Sequence, residues 1–160
     1  MAQLVPGDIA PDFCLLDAQE SEVSLKNYAD SKVVVYFYPK AMTAGCTTEA
    51  VDFTAASPSF ADAGYSIVGI SPDKPASLAK FIDRDNLDIT LLSDVDKATI
   101  EAYGAWGEKK LYGKVTTGII RSTFVVNVDA AGIGTVELAE YNVRAAGHVE
   151  RLSKQLGISA

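Results

Sequence analysis

Two short apolar runs constrain this chain more than anything else in it: VVVYFY at residues 33–38 and YSIVGIS at residues 65–71. Neither alternates polar with apolar, and both are rich in β-branched and aromatic side chains, as strands buried on both faces are. Such strands need a layer above and a layer below, so the runs demand a central sheet with helices packed on it. Pro39 ends the first run because proline has no amide donor for a ladder.

The segments between the runs supply those layers. Thr47 to Ala56 contains no Gly or Pro and predicts a helix, which Ser57-Pro58 breaks or kinks. Asp73 followed by Pro75 opens a second helix through Asn86. Ile89 to Leu92 reads as a short strand, Asp94 caps a helix near Lys97 to Tyr103, and Thr123 to Val128 is a further strand. Residues 129–132, DAAG, turn the chain toward Thr135 to Leu138 as a hairpin does. Arg144 to Leu156 sets Val149, Leu152 and Leu156 at helical spacing, with Gly157 in the stop position. Strand and helix alternate, which predicts an α/β domain whose mixed sheet is parallel in the middle, closed by an antiparallel hairpin, and flanked by helices on both faces.

The 160 residues, 48% hydrophobic and 22% charged, suit one domain over 1–160 with a full core. The net charge is −7 and the basic residues never form a run, which argues against nucleic acid and anionic membrane as partners. No apolar stretch approaches the roughly 20 residues that span a bilayer. The first residues, MAQLVPGDIAPDF, lack a basic segment followed by an apolar one, so the expected location is cytoplasmic. Two cysteines, Cys14 and Cys46, are too few to staple a secreted fold, and if they act they act as thiols.

Cys46 lies between the carboxyl end of a central strand and the start of a helix, the sheet edge at which α/β domains bind ligands. The unpaired N–H groups and positive dipole end of a first helical turn favour thiolate over thiol. Gly45 permits a close backbone approach, the Thr43 hydroxyl can hydrogen-bond beside the sulfur, and Pro39 stiffens the loop. On residue types alone, a small buried cysteine in a strand-to-helix connection is the favoured reading.

The stretch PKAMTAGCTTEAVDF resembles the peroxidatic-cysteine motif of the peroxiredoxins, and its flanks YFYPK and CTTEA resemble the bacterioferritin-comigratory (PrxQ) subfamily. APDF, IVGISPD, LLSD, YGAW, IIRSTFVV and NVRAAGH fall in the family's order, so the likeness covers most of the chain. It implies a thioredoxin-like fold and a hydroperoxide reductase working through a cysteine sulfenic acid, with no metal, flavin or haem. Cys46 is then the peroxidatic cysteine, Thr43 and Pro39 shape its pocket, and Arg121 completes it. Arginine suits that role, being a permanent cation with a rigid fork of donors able to reach sulfur and peroxide together. Without the resemblance, Arg121 reads as half of a surface ion pair. Glu49, three residues after Cys46, either pairs with a pocket arginine or is a first-turn acid interacting with the helix dipole.

The chain departs from the family in two places. Many members of the subfamily carry a resolving cysteine five residues after the peroxidatic one; here that residue is Val51, and no cysteine follows Cys46. Cys14 is expected to be a core or half-buried strand residue rather than a resolving thiol, since it alternates with Phe13 and Leu15. A one-cysteine mechanism follows, in which a small-molecule thiol or a thioredoxin- or glutaredoxin-like protein restores Cys46. The second departure is Ala44, where relatives often have proline.

Other tempting residues receive plainer roles. His148, the only histidine, is expected to be structural, since the resemblance implies a similar histidine opening the family's last helix; Trp106, Tyr36, Phe37 and Tyr38 are core or pocket wall. Asp83, Asp85, Asp88, Asp94 and Asp96 lack the spacing of a calcium loop. A rival function is a peroxide-sensing relay in which Cys46 oxidation controls partner binding, and the missing Cys-x-x-Cys argues against a thiol–disulfide oxidoreductase. The expected assembly is a monomer or weak homodimer.

Overall fold

Both apolar runs are central strands of one seven-stranded sheet. The computed structural model describes residues 3–111 and 113–158. Its strands are β1 (Cys14–Asp17), β2 (Glu22–Ser24), β3 (Ser31–Phe37), β4 (Tyr65–Ser71), β5 (Thr90–Ser93), β6 (Trp106–Leu111), β7 (Lys114–Ile119), β8 (Ser122–Val128) and β9 (Gly134–Glu140). Helices are α1 (Ala44–Asp62), α2 (Pro75–Asp85), α3 (Ala98–Ala102) and α4 (His148–Leu156), with a 3₁₀ turn at Leu25–Tyr28. The sheet order is β2-β1-β5-β4-β3-β8-β9, and β6 pairs with β7 alone. β3, β4 and β5 run parallel, whereas β8 is antiparallel to β3 and β9 to β8, giving the mixed sheet closed by a hairpin.

Side-chain alternation along the central strands splits the core in two. Val33, Val35 and Phe37 of β3 join Val68, Ile70, Phe124 and Val126 under Ile100 of α3 and Leu25 of the 3₁₀ turn. Val34 and Tyr36 face the other way, against Phe53 and Phe60 of α1, Leu78 and Phe81 of α2, and Leu152 of α4. Helices therefore cover both faces, with the longer ones on the side that holds Cys46. Gly69 on β4 is part of this packing: a Cβ there would sit 2.8 Å from the Tyr36 ring and 2.9 Å from Leu91.

Three boundaries differ from the sequence reading. Helix α1 begins at Ala44 and runs through Pro58 to Asp62. Pro58 is exposed, and buried Phe53 and Phe60 on either side hold the helix to the sheet, which outweighs the one helical bond it removes. Helix α4 begins at His148, not Arg144, because Gly147 has φ 72°, which ends helical geometry; Arg151 instead reaches back to the carbonyls of Ala146 and Arg144. The β6–β7 hairpin, unanticipated, has mostly exposed residues in β7 and is tied to the core at its Trp106–Ile119 end. Among the described residues no helix is long and apolar enough to cross a membrane.

Candidate active site

The site lies at the carboxyl ends of β3 and β4. Past β3 the chain keeps one more ladder bond, from the Tyr38 amide to the Ile70 carbonyl at 3.2 Å, and then passes half-buried Pro39 into the loop. The loop is pinned from β4. The Ala41 amide donates to Asp73 Oδ2 at 2.7 Å, and Ser71 Oγ donates to the same oxygen at 2.7 Å. Asp73 thus anchors the loop before Cys46 instead of capping α2, whose N-cap is Lys74. Met42 takes a left-handed φ of 67°, which turns the chain into α1.

Thr43 is the N-cap of α1, and its hydroxyl donates to the Lys40 carbonyl at 2.9 Å rather than to the helix. The donor hydrogen is therefore committed to the loop, and the oxygen keeps lone pairs for accepting. The first α1 bond runs from the Thr47 amide to the Thr43 carbonyl at 2.9 Å, so the amides of residues 44–46 stand in the unpaired first turn. Cys46 lies in that turn, only 1% exposed.

Arg121 comes from the short connection between β7 and β8, 75 residues away in sequence. Its carbonyl accepts from the Val143 amide at 2.8 Å, and the preceding Ile120 amide donates to the Ala105 carbonyl at 2.7 Å, which fixes the backbone on both sides. Arg121 Nη2 donates to Cys46 Sγ at 3.3 Å, and Nη1 to Glu49 Oε1 at 2.6 Å. Glu49 lies one helical turn after Cys46 and is fully buried, so of its two readings the structure shows the pairing with arginine. Burial alone would lower the guanidinium's proton affinity, but the Glu49 carboxylate and the sulfur outweigh it and hold Arg121 above its ordinary value. Gly45 makes room for this approach, since a Cβ there would stand 3.3 Å from Arg121 Nη2.

The second Glu49 oxygen faces His148. Nδ1 of the imidazole is 3.0 Å from Oε2, and the ring lies edge-on to Phe53 with centroids 5.8 Å apart. His148 packs as expected of a structural residue, yet the contact with Glu49 ties it to the cysteine. Tyr36 and Tyr38 wall the same side; burial pushes both phenols well above the usual tyrosine value. Trp106 on β6 is partly buried against the opposite core, as expected of a core residue.

Cys14 corrects the sequence reading. It lies on β1 but is exposed rather than core or half-buried, with its sulfur 3.8 Å from Glu22 Oε2, because Leu15 takes the inward face. β5 and β4 lie between β1 and β3, whose end leads to Cys46. Three inter-strand spacings amount to roughly 14 Å, and a disulfide needs Cα atoms within about 7 Å. Val51, at the position of the missing resolving cysteine, lies 41% exposed on α1. Sequence reasoning missed the roles of Asp73 and of the His148 contact. Its one usable signal was that Asp73 follows a central strand at the edge shared with the Cys46 loop.

Comparison with known proteins places the chain in a family. The AhpC/TSA family matches residues 6–133. The chain is 50% identical over 156 residues to a putative peroxiredoxin of Mycobacterium tuberculosis (strain ATCC 25618 / H37Rv), covering 98% of this chain and 97% of the relative. It is 43% identical over 129 residues to peroxiredoxin Bcp of Escherichia coli (strain K12), covering 81% and 83%. Among solved structures it is similar to the Xanthomonas campestris bacterioferritin comigratory protein, studied for alkyl peroxide reduction, at TM-score 0.81 and 36% identity over 91% of this chain and 90% of that one. Xylella fastidiosa PrxQ superposes at TM-score 0.86 with 27% identity, covering 98% of each chain.

Proposed function

The chain belongs to the AhpC/TSA family of peroxiredoxins and is a thiol-dependent peroxidase, and on that premise we propose that it works through one cysteine, Cys46, with the reducing thiol supplied from outside. The observation that carries this reading is the fork of Arg121, one nitrogen on Cys46 Sγ at 3.3 Å and the other on Glu49 at 2.6 Å.

In the first step the Cys46 thiolate attacks one peroxide oxygen and the O–O bond breaks. Sulfur becomes a sulfenic acid, and the departing oxygen leaves as water or alcohol after taking up a proton. Arg121 holds the sulfur anion and donates to the peroxide, the Thr43 oxygen accepts from the peroxide O–H, and the Pro39 loop excludes water. These donors are in place before substrate arrives, so little reorganisation accompanies the reaction. An external thiol then condenses with the sulfenic acid, releasing water and forming a mixed disulfide. A second thiol reduces that disulfide and frees Cys46. Cys14, exposed on a distant strand, takes no part. The substrates fitting this site are hydrogen peroxide and organic hydroperoxides, and thioredoxin- or glutaredoxin-like proteins are the class of reductant that the chemistry calls for.

The test is to treat reduced protein with one equivalent of hydrogen peroxide and read its intact mass with and without a sulfenic-acid trap. One added oxygen, trapped at Cys46, is the expected result. Loss of two hydrogens within one chain would mean that Cys14 resolves Cys46. Sustained turnover with a defined thiol separates a peroxidase from a sensor, which oxidises once per chain and stops.

A further inference from the structure

Glu49 can orient Arg121 only if something orients Glu49. The carboxylate is fully buried, and the fork of Arg121 occupies just one of its oxygens, at 2.6 Å. The other oxygen, Oε2, faces His148 Nδ1 at 3.0 Å. His148 is 1% exposed and sits at the first position of α4, so its ring is carried by an element separate from the Cys46 helix and from the Arg121 connection.

The ring's surroundings set its proton. Neither ring nitrogen completes a well-directed hydrogen bond among the described residues, but Nδ1 has a carboxylate oxygen 3.0 Å away, and a buried N–H without an acceptor nearby is expensive. The bare lone pair is the cheaper occupant of the Nε2 side, which leaves the hydrogen on Nδ1, toward Glu49. The N–H does not aim squarely at Oε2, so the contact is close in distance and loose in direction. Phe53, edge-on at 5.8 Å, limits how far the ring can turn. The charges that reach His148 come from α1 and from across the sheet: Glu49 directly, then Arg121 and Cys46 beyond it, with the Tyr36 hydroxyl of β3 near Glu49. Charges of its own segment are engaged elsewhere, Arg151 with the Ala146 and Arg144 carbonyls and Glu150 with Lys154 at 3.3 Å.

We propose that His148 is a positioning residue for the peroxidase reaction: its Nδ1–H holds Glu49 Oε2, which fixes the carboxylate plane and thereby the angle at which Arg121 presents Nη2 to Cys46. The inference deepens the function proposed above and rests on it for the peroxide reaction only. His148 touches neither sulfur nor substrate and acts through two intervening groups, Glu49 and Arg121.

The experiment compares His148→Leu, which keeps bulk without a donor, with His148→Asn, whose amide nitrogen reaches the place of Nδ1. Each is made alone and with Glu49→Gln. The readouts are the rate of Cys46 alkylation by iodoacetamide across pH, which needs no peroxide, and the rate of Cys46 oxidation by hydrogen peroxide. His148→Leu is expected to slow oxidation by about 10- to 100-fold, as misplacing a catalytic group does, and to change the pH profile of alkylation. His148→Asn should restore most of both. With Glu49→Gln present, His148→Leu should add nothing. A wild-type rate and profile in His148→Leu, an Asn variant as slow as the Leu one, or independent effects of the two positions would each overturn the proposal. If His148→Leu does not fold, His148→Gln, whose amide falls at the place of Nε2, makes the same comparison with Asn in a polar background. Loss of peroxide oxidation in the parent protein would sink the peroxidase reading, while the alkylation series would still decide the role of His148.

Discussion

Arg121 Nη2 stands 3.3 Å from Cys46 Sγ across 75 residues of sequence, and the same guanidinium reaches Glu49 at 2.6 Å with its other terminal nitrogen. Replacing Arg121 with Ala removes both contacts. Peroxide oxidation of Cys46 should fall about a hundredfold or more. Arg121→Lys should do little better, since one ammonium cannot fork to both partners. Denaturant melts should also show a loss of about 3 kcal/mol or more from leaving the Glu49 carboxylate buried without its cation, and Glu49→Gln in the same chain should recover part of it.

Cys46→Ser should abolish peroxide consumption and the trappable added oxygen together. Cys14 is exposed on β1 and makes one weak contact. Cys14→Ser should keep the rate within about twofold, because surface changes usually stay within about 0.5 kcal/mol. Equal loss in both variants, measured by coupled thiol oxidation, would contradict the one-cysteine route.

Gly45→Ala and Gly69→Ala should separate site from core. At Gly45 the added carbon meets Arg121 Nη2 at 3.3 Å and Ala145 Cβ at 3.6 Å, so the guanidinium must shift and the oxidation rate should drop with little change in melting. At Gly69 it meets the Tyr36 ring at 2.8 Å. Overpacking there should cost about 1–3 kcal/mol and appear in thermal denaturation.

Asp73→Ala removes the acceptor shared by the Ala41 amide and the Ser71 hydroxyl. The cost should be about 1–3 kcal/mol for the donors left without a partner. The loop from Pro39 to Thr43 should exchange its amide hydrogens faster, and oxidation of Cys46 should slow even though Asp73 touches no reacting atom.

Tyr36, Tyr38 and Tyr103 are buried, and burial pushes each phenol above its ordinary value of 10.0. In the unfolded chain they lose protons near pH 10, whereas in the folded chain they keep them. The unfolded state then binds fewer protons, so stability is complete below about pH 10 and falls as pH rises beyond it. Ultraviolet titration should show these three tyrosines ionising only together with unfolding.

Much of the architecture was legible because it follows from local chemistry. Val33 to Tyr38 and Tyr65 to Ser71 cannot be solvated on either face, which dictates central strands and covering layers whatever surrounds them. Cys46 behind Gly45 at a strand-to-helix junction is likewise a local pattern, and its likeness to a family motif extended that pattern to Thr43, Pro39 and Arg121. Helix ends were less legible. Pro58 reads as a stop in isolation, but Phe53 and Phe60 bury the helix on both sides of it, and tertiary packing overrides a single lost hydrogen bond.

What the sequence alone determined, then, is the class of fold, since burial patterns act over a few residues, and, through the family motif, which sulfur to propose as reactive. Contacts between distant segments were decided only by the tertiary structure. Which reading of Glu49 applies depends on a guanidinium 72 residues away, and the link from His148 to the same carboxylate depends on where α4 lies against α1. The exposure of Cys14 depends on which face of β1 the core covers. Such contacts join segments whose separation along the chain carries no periodic signal, so they come into being only when the sheet closes and brings its carboxyl edge together.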